Sequence, residues 1–197
     1  MTVPPGLRKL LLTAHLTCSV GWIGAGIAYL ALGVAAATGR DAATVRAAWI
    51  AMELVGRAAL APLAVAALLT GVALSLGTPW GLFRHYWVVV SLGLTVFAAA
   101  ILLLHLPDVG ATADVARAAD GAGLSRLGGD LPHAEGGLLV LLAITVLNDY
   151  KPRGLTPYGW RKQQEEQARR PPRAPVVRPE ADRPARAAGR PDAPRSG

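Results

Sequence analysis

The sequence predicts an all-α protein, a four-helix transmembrane bundle followed by a disordered C-terminal tail. Hydrophobic residues make up 52% of the 197 residues and the mean hydropathy is +0.36, although the net charge is +7. Runs without Asp, Glu, Lys or Arg alternate with short charged segments, and about 20 such residues can cross a bilayer as a helix. Residues 1–150 contain eight basic and eight acidic side chains, whereas residues 151–197 contain twelve and five. These observations indicate a membrane domain without net charge and a basic tail.

We assign residues 1–155 to the transmembrane domain and residues 156–197 to a basic, proline-rich cytoplasmic tail that is mostly disordered. From Pro171 onward the tail combines seven prolines with charged and small residues, and such a composition cannot bury enough apolar surface to fold. The predicted spans are, in order, about 10–32, 55–77, 86–106 and 134–150.

The first span lies in the run Leu10–Ala37, which has 28 residues and no charged side chain. A cleaved signal peptide is the alternative, because three alanines close the run. The apolar region of a signal peptide has only about 7–15 residues, so the length of the run favours a span. The basic residues before it, Arg8 and Lys9, favour a cytoplasmic N-terminus.

The second predicted helix begins near Thr44 and ends at Leu76. Asp41 is its predicted N-cap, because a carboxylate accepts hydrogen bonds from the unpaired N–H groups of a first turn. The helix is about 50 Å long, which exceeds the hydrocarbon core, and only residues 58–76 are free of charge. Its first half is therefore expected to project beyond the outer headgroups. Pro62 lacks an N–H and is expected to bend the helix.

The segment 77–87, Gly-Thr-Pro-Trp-Gly-Leu-Phe-Arg-His-Tyr-Trp, predicts a tight turn between the second and third spans. Gly77 is expected to end the second helix in the left-handed conformation, and Pro79 cannot continue it. Four aromatic residues lie close to Arg84. Aromatic and basic side chains together are typical of a membrane–water interface, so this turn is predicted to lie at the inner surface.

The third span is predicted to end at Pro107, and residues 107–133 are expected to form one or two short interfacial helices. The fourth apolar run, residues 136–148, has only 13 residues, which is ambiguous by length alone. Basic residues follow it, beginning with Lys151, and favour a cytoplasmic position. Two cytoplasmic termini require an even number of spans. We therefore predict a four-span protein of the inner (plasma) membrane with both termini in the cytoplasm.

Two histidines within the predicted spans, His15 and His105, are the candidate cofactor-binding residues. Ionisable side chains inside a membrane are costly and are often functional. Each histidine also has a structural alternative: His15 shares a helix face with Trp22 and suits a helix–helix contact, and His105 lies near water at the end of its span. Their predicted depths differ by more than about 15 Å, which excludes binding of one iron by both.

At the outer face, His105, His133, Asp108 and Glu135 are expected to lie near one another, in an arrangement that suits a divalent ion. The alternative is that they are separate polar helix ends, and we assign no metal site and no catalytic residue. Cys18 is the single cysteine, which excludes an internal disulfide and a thiolate cluster.

The segment 75–87, together with His15 and Trp22 before it and Tyr-Lys-Pro-Arg-Gly at 150–154 after it, resembles an uncharacterised family of small four-span actinobacterial membrane proteins. The resemblance covers about residues 8–160. More distantly, the layout is similar to copper-resistance-D-like proteins and to HemJ-type protoporphyrinogen oxidases. Those families share an early histidine in the first span and a Trp followed four residues later by Lys, whereas Ser91 follows Trp87 here.

The closer resemblance implies a membrane architecture and no particular activity. We predict a non-enzymatic integral membrane protein, an accessory or assembly factor. The alternative is a haem-linked membrane redox enzyme related to protoporphyrinogen oxidation, which would use His15, with His105 on the outer side and haem b as the cofactor. The expected partners are the lipid bilayer, anionic lipid headgroups bound by the basic tail, and a second copy or another membrane protein. Nucleic acid is not expected, because the basic residues follow a membrane helix.

Overall fold

The computed structural model describes residues 4–77, 81–124, 127–152 and 154–169, without the side chains of residues 121 and 122. Four helices in this part of the chain are long and apolar enough to cross a membrane: Pro5–Thr38, Ala42–Gly77, Tyr86–Ala118 and Leu131–Tyr150. The predicted all-α fold with four candidate spans is therefore confirmed. Residues 170–197, which include the segment predicted to be disordered from Pro171, lie outside the described residues.

The second of these helices is interrupted by a short π-helical turn, and two shorter helices complete the described elements. In chain order they are α1 (Pro5–Thr38), α2 (Ala42–Val55), the π-turn (Gly56–Leu60), α3 (Ala61–Gly77), α4 (Tyr86–Ala118), α5 (Gly121–Leu124), α6 (Leu131–Tyr150) and α7 (Pro157–Ala168).

The spans pack as a closed ring, in which α1 contacts α2, α3 and α6, and α4 contacts the same three helices from the other side. Small residues fill much of the interior, including Ala64, Ala67, Ala98 and Ala99. Such residues let helix backbones approach closely in a bilayer. Large hydrophobic side chains are exposed along all four spans, where lipid would surround them.

The second span begins at its predicted cap and contains a feature that was not predicted. The Asp41 carboxylate accepts a hydrogen bond of 2.8 Å from the Thr44 N–H. At the π-turn, Ala61 N–H donates to the Gly56 carbonyl, five residues earlier. Pro62 follows immediately. A proline ring clashes with the carbonyl four residues before it in a regular α-helix. The wider turn makes room for the ring, and the helix continues to Gly77.

The predicted end of the third helix at Pro107 is wrong, because α4 continues through Pro107 to Ala118. Proline removes one backbone hydrogen bond, but the extension is stabilised by packing against α2. Val109 and Ala113 are buried there. Arg46 of α2 also donates hydrogen bonds to the carbonyls of Ala116 and Ala119 at the end of α4. The last turns of α4 thus pack against α2 at one end of the bundle.

The turn between α3 and α4 differs in detail from the prediction. Gly77 is the last residue of α3, and the glycine with a positive φ, +62°, is Gly81. Residues 78–80 lie outside the described residues. The left-handed position is therefore assigned to Gly81 rather than to Gly77.

Helix α7 lies within the segment 156–197, for which no helix was predicted. Thr156 caps it by accepting a hydrogen bond from the Gly159 N–H, and its hydroxyl donates to the Phe83 carbonyl. The Thr156 N–H also donates to the Arg84 carbonyl at 3.1 Å. The start of the tail is therefore folded against the α3–α4 turn.

Candidate functional site

A buried carboxylate, that of Asp130, joins α1, α4 and α6 at one end of the bundle. Its Oδ2 accepts hydrogen bonds of 2.8 Å from the Tyr29 hydroxyl of α1 and from Nε2 of His105 of α4. Its Oδ1 is 2.8 Å from Nδ1 of His133, in the first turn of α6. Only 7% of the Asp130 side chain is exposed. Three hydrogen bonds offset the cost of burying the carboxylate.

Two glycines position Asp130 by bringing the loop before α6 against the end of α1. Gly128 has a φ of +61°, a conformation that other residues rarely adopt. A Cβ on Gly129 would overlap the carbonyl of Gly33, so this close approach requires glycine. The indole of Trp49 holds the loop from the other side by donating to the Gly128 carbonyl at 3.2 Å.

The two imidazoles of this group are stacked. The ring centroids of His105 and His133 are 3.6 Å apart and the rings are 16° from parallel. Nδ1 of His105, on the side away from Asp130, is 3.7 Å from a carboxylate oxygen of Asp108. The ligand atoms of His105, Asp130 and His133 all lie within 4.8 Å of one another. We call these three residues the outer triad, after the membrane face predicted for His105 and His133.

The outer triad forms the polar end of a cavity of about 290 Å³ between α1, α4 and α6. Apolar side chains form the rest of the wall, among them Trp22, Leu60, Ala98, Leu102 and Leu141. Gly137 and Phe97 also line the cavity and are exposed, so it opens sideways between α4 and α6. The cavity therefore combines an apolar body, a polar end and access from the side of the bundle.

The second candidate residue, His15, lies elsewhere. Its Nδ1 donates to the carbonyl of Ala67 at 3.1 Å and also lies 3.1 Å from the hydroxyl of Thr70, so it joins α1 to α3. His15 precedes Tyr29 by 14 residues, or about 21 Å along α1. Because Tyr29 is bonded to the outer triad, the structure places His15 and His105 at opposite ends of the bundle, as predicted.

The structure brings together three of the four predicted outer-face residues, His105, His133 and Asp108. Glu135 is exposed on α6 and is not part of the triad. Neither Asp130 nor Tyr29 was predicted from the sequence as a site residue. A signal for Asp130 was present, because an aspartate three residues before His133, followed by Leu-Pro, is typical of the residue that precedes a helix. No comparable signal marked Tyr29.

Comparison of the chain with protein-family models, with curated proteins and with solved structures finds no significant match.

Proposed function

We propose that the protein is a non-enzymatic accessory or assembly factor of the plasma membrane that binds a small lipid-soluble molecule. The observation that carries this proposal is the cavity between α1, α4 and α6, which is apolar along its walls and polar at the outer triad. A mostly apolar, concave site with a few converging polar groups is the usual form of a small-molecule site.

The volume of the cavity and the position of its opening indicate the size of the ligand and its route of entry. Its volume of about 290 Å³ is close to the lower end of the ~300–1,000 Å³ found for drug-sized ligands. The lateral opening beside Phe97 faces the region where lipid surrounds the spans, so the ligand enters from the bilayer. Its polar end group then meets the imidazole of His133, whose Nδ1 is bonded to Asp130 and whose Nε2 is the nitrogen proposed to bond the ligand.

Binding rather than catalysis is supported by how the polar end is bonded. The Asp130 carboxylate already accepts three hydrogen bonds. Among the described residues, every buried side-chain nitrogen or oxygen has a hydrogen-bond partner. A saturated network of this kind rigidifies its site. We therefore assign the outer triad to holding a ligand in place.

The orientation in the membrane is part of the proposal. The N-terminal flank, the α3–α4 turn and α7 contain Arg8, Lys9, Arg84, Arg161 and Lys162, and the rule that basic segments remain inside assigns this end to the cytoplasm. The aromatic rings of Tyr158 and Trp160 on α7 are exposed, as suits residues among lipid headgroups. The basic tail would bind anionic headgroups with about 1 kcal/mol per residue held near the surface.

The haem-linked redox enzyme remains the alternative because His105, one of the two candidate residues, lines the cavity. The volume argues against it, since 290 Å³ is at the lower end of the ~300–1,000 Å³ found for small-molecule sites and a porphyrin macrocycle is a large ligand. Binding of haem would require α4 and α6 to separate. A Soret band in the purified protein that is lost in His105→Ala would favour this alternative.

Native mass spectrometry of the protein extracted from its own membranes tests the proposal. We expect a bound small molecule in the wild type and in Gly93→Leu, and its loss in Gly137→Leu. A Cβ added to either glycine would meet no atom within 4 Å, so both variants are expected to fold, but only Gly137 lines the cavity. Equal retention of the molecule in the two variants would contradict the proposal.

A further inference from the structure

We infer that the outer triad, His105, Asp130 and His133, is a binding site for a divalent first-row transition-metal ion. The ligand atoms lie within 4.8 Å of one another, and nitrogen ligands of a tetrahedral zinc ion, at about 2.0–2.1 Å from the metal, lie about 3.4 Å apart. The rings of His105 and His133 are stacked and 16° from parallel, so metal binding requires both side chains to rotate until their nitrogen lone pairs point at one ion. Two imidazoles and one carboxylate suit zinc, iron, cobalt or nickel.

Two residues next to the triad can serve as outer-shell partners of a bound metal ion. The Tyr29 hydroxyl already donates to Oδ2 of Asp130 and orients that carboxylate. When Nε2 of His105 binds the metal, its proton moves to Nδ1, which lies 3.7 Å from the Asp108 carboxylate. This distance is longer than a hydrogen bond, and a small movement of the exposed Asp108 side chain would let it accept from Nδ1 and fix the tautomer.

The proposed metal site is fixed by backbone packing around Asp130 and remains accessible to ions through His133. Asp130 is fixed by the close packing of Gly129 on Gly33, so the ligand least able to move is also the most buried. The side chain of His133 is 48% exposed, which gives an ion a route from the aqueous face. Three protein ligands leave at least one coordination position for water or for a ligand end group.

A hydrogen-bonded network without metal is the competing explanation, and isosteric variants separate the two. The variant His133→Asn places an amide N–H where Nδ1 of His133 lies. The variant His105→Gln does the same at the position of Nε2 of His105. Both variants can still donate to Asp130 but lack the imidazole lone pair. His15→Asn is the matched control, because Nδ1 of His15 donates to a backbone carbonyl distant from the triad.

The test is titration of the purified, metal-stripped full-length protein with Co²⁺, read by visible absorption, followed by competition with Zn²⁺. We expect one saturable site in the wild type and in His15→Asn. In His133→Asn and His105→Gln the affinity should fall by more than the about 10–100-fold that loss of an outer-shell partner causes. Asp108→Asn should lower it within that range. Zn²⁺ should also raise the Tm of the wild type and not that of His133→Asn.

Three results would overturn the inference: no saturable binding in the wild type, wild-type affinity in both isosteric variants, or displacement of Co²⁺ by equimolar Mg²⁺, which prefers oxygen ligands. The inference does not rest on the proposed lipid-soluble ligand. Metal binding is measured on stripped protein without that ligand, and retention of the ligand is measured without added metal, so each proposal can fail while the other holds.

Discussion

Arg84 and Glu166 are joined by two parallel hydrogen bonds of 3.1 and 2.9 Å, which connect the α3–α4 turn to the last turn of α7. Hydrogen bonding to Glu166 raises the pKa of Arg84 above its ordinary value. The Glu166 side chain is 57% exposed, and an exposed ion pair contributes only about 0.2–1 kcal/mol. The ion pair therefore orients α7 more than it holds it in place.

Close backbone packing provides a stronger attachment of α7, and one variant tests it. A Cβ on Gly159 would overlap the Arg84 carbonyl, so Gly159→Ala is expected to displace α7 from the turn. Hydrogen exchange of the α7 amides should become much faster in Gly159→Ala and only slightly faster in Arg84→Lys. The control is Gly154→Ala, whose Cβ would make an ordinary contact of 3.6 Å with Tyr86. Equal exchange in Gly159→Ala and the control would show that α7 is held by other contacts.

Gly129→Ala is expected to destabilise the outer face. The added methyl group would overlap Gly33 and crowd Ala37, so the loop must move, at a cost of about 1–3 kcal/mol. The Tm in detergent should fall, and Asp130 should move away from Tyr29. Gly136→Ala is the matched control, because its methyl group meets nothing within 4 Å and alanine favours a helix. A Tm equal to that of Gly136→Ala would contradict the packing described for this loop.

The cap at Asp41 predicts a pH-dependent difference between the wild type and Asp41→Ala. Hydrogen bonding to Thr44 lowers the pKa of Asp41 below its ordinary value. A lowered pKa in the folded state stabilises the protein above the unfolded pKa of about 3.9, and this contribution is lost as the pH falls through the folded pKa. Thermal unfolding should give a lower Tm for Asp41→Ala at pH 7, and the difference should shrink below about pH 4. A difference that stays constant with pH would assign the effect to something other than the charged cap.

Cysteine accessibility tests the proposed orientation. In a Cys18→Ala background, a cysteine at Asp120 should react with an impermeant thiol reagent in intact cells, because it is exposed at the outer end of the bundle. A cysteine at Gly154 should react only after the membrane is permeabilised. Labelling of Gly154 from outside would reverse the orientation.

Features that depend on local chemistry could be predicted from the sequence, and features that depend on distant contacts could not. Four spans follow from charge-free runs of sufficient length, and the alternation of spans brings His105 and His133 to one face. Tyr29, by contrast, is 101 residues from Asp130, and nothing near it in the sequence indicates a polar partner. The prediction at Pro107 failed because its local effect, the loss of one hydrogen bond, is outweighed by the packing of the α4 extension on α2. Helix α7 was missed for the same reason, since its attachments lie in another part of the chain.

The π-turn at Gly56–Leu60 affects how the continuous helix Ala42–Gly77 packs against its neighbours. One extra residue in a helical turn rotates everything beyond it by about 100° relative to a regular α-helix. Helix α2 buries Trp49 and Met52, and α3 buries Ala64 and Ala67. Because of the rotation at the π-turn, each of the two helices can direct its own buried face toward its neighbours independently of the other. A single-residue insertion or deletion would be least disruptive within this turn, where the backbone already departs from the regular α-helical repeat. One turn to either side it would be most disruptive, because it would rotate buried side chains away from the helices they pack against.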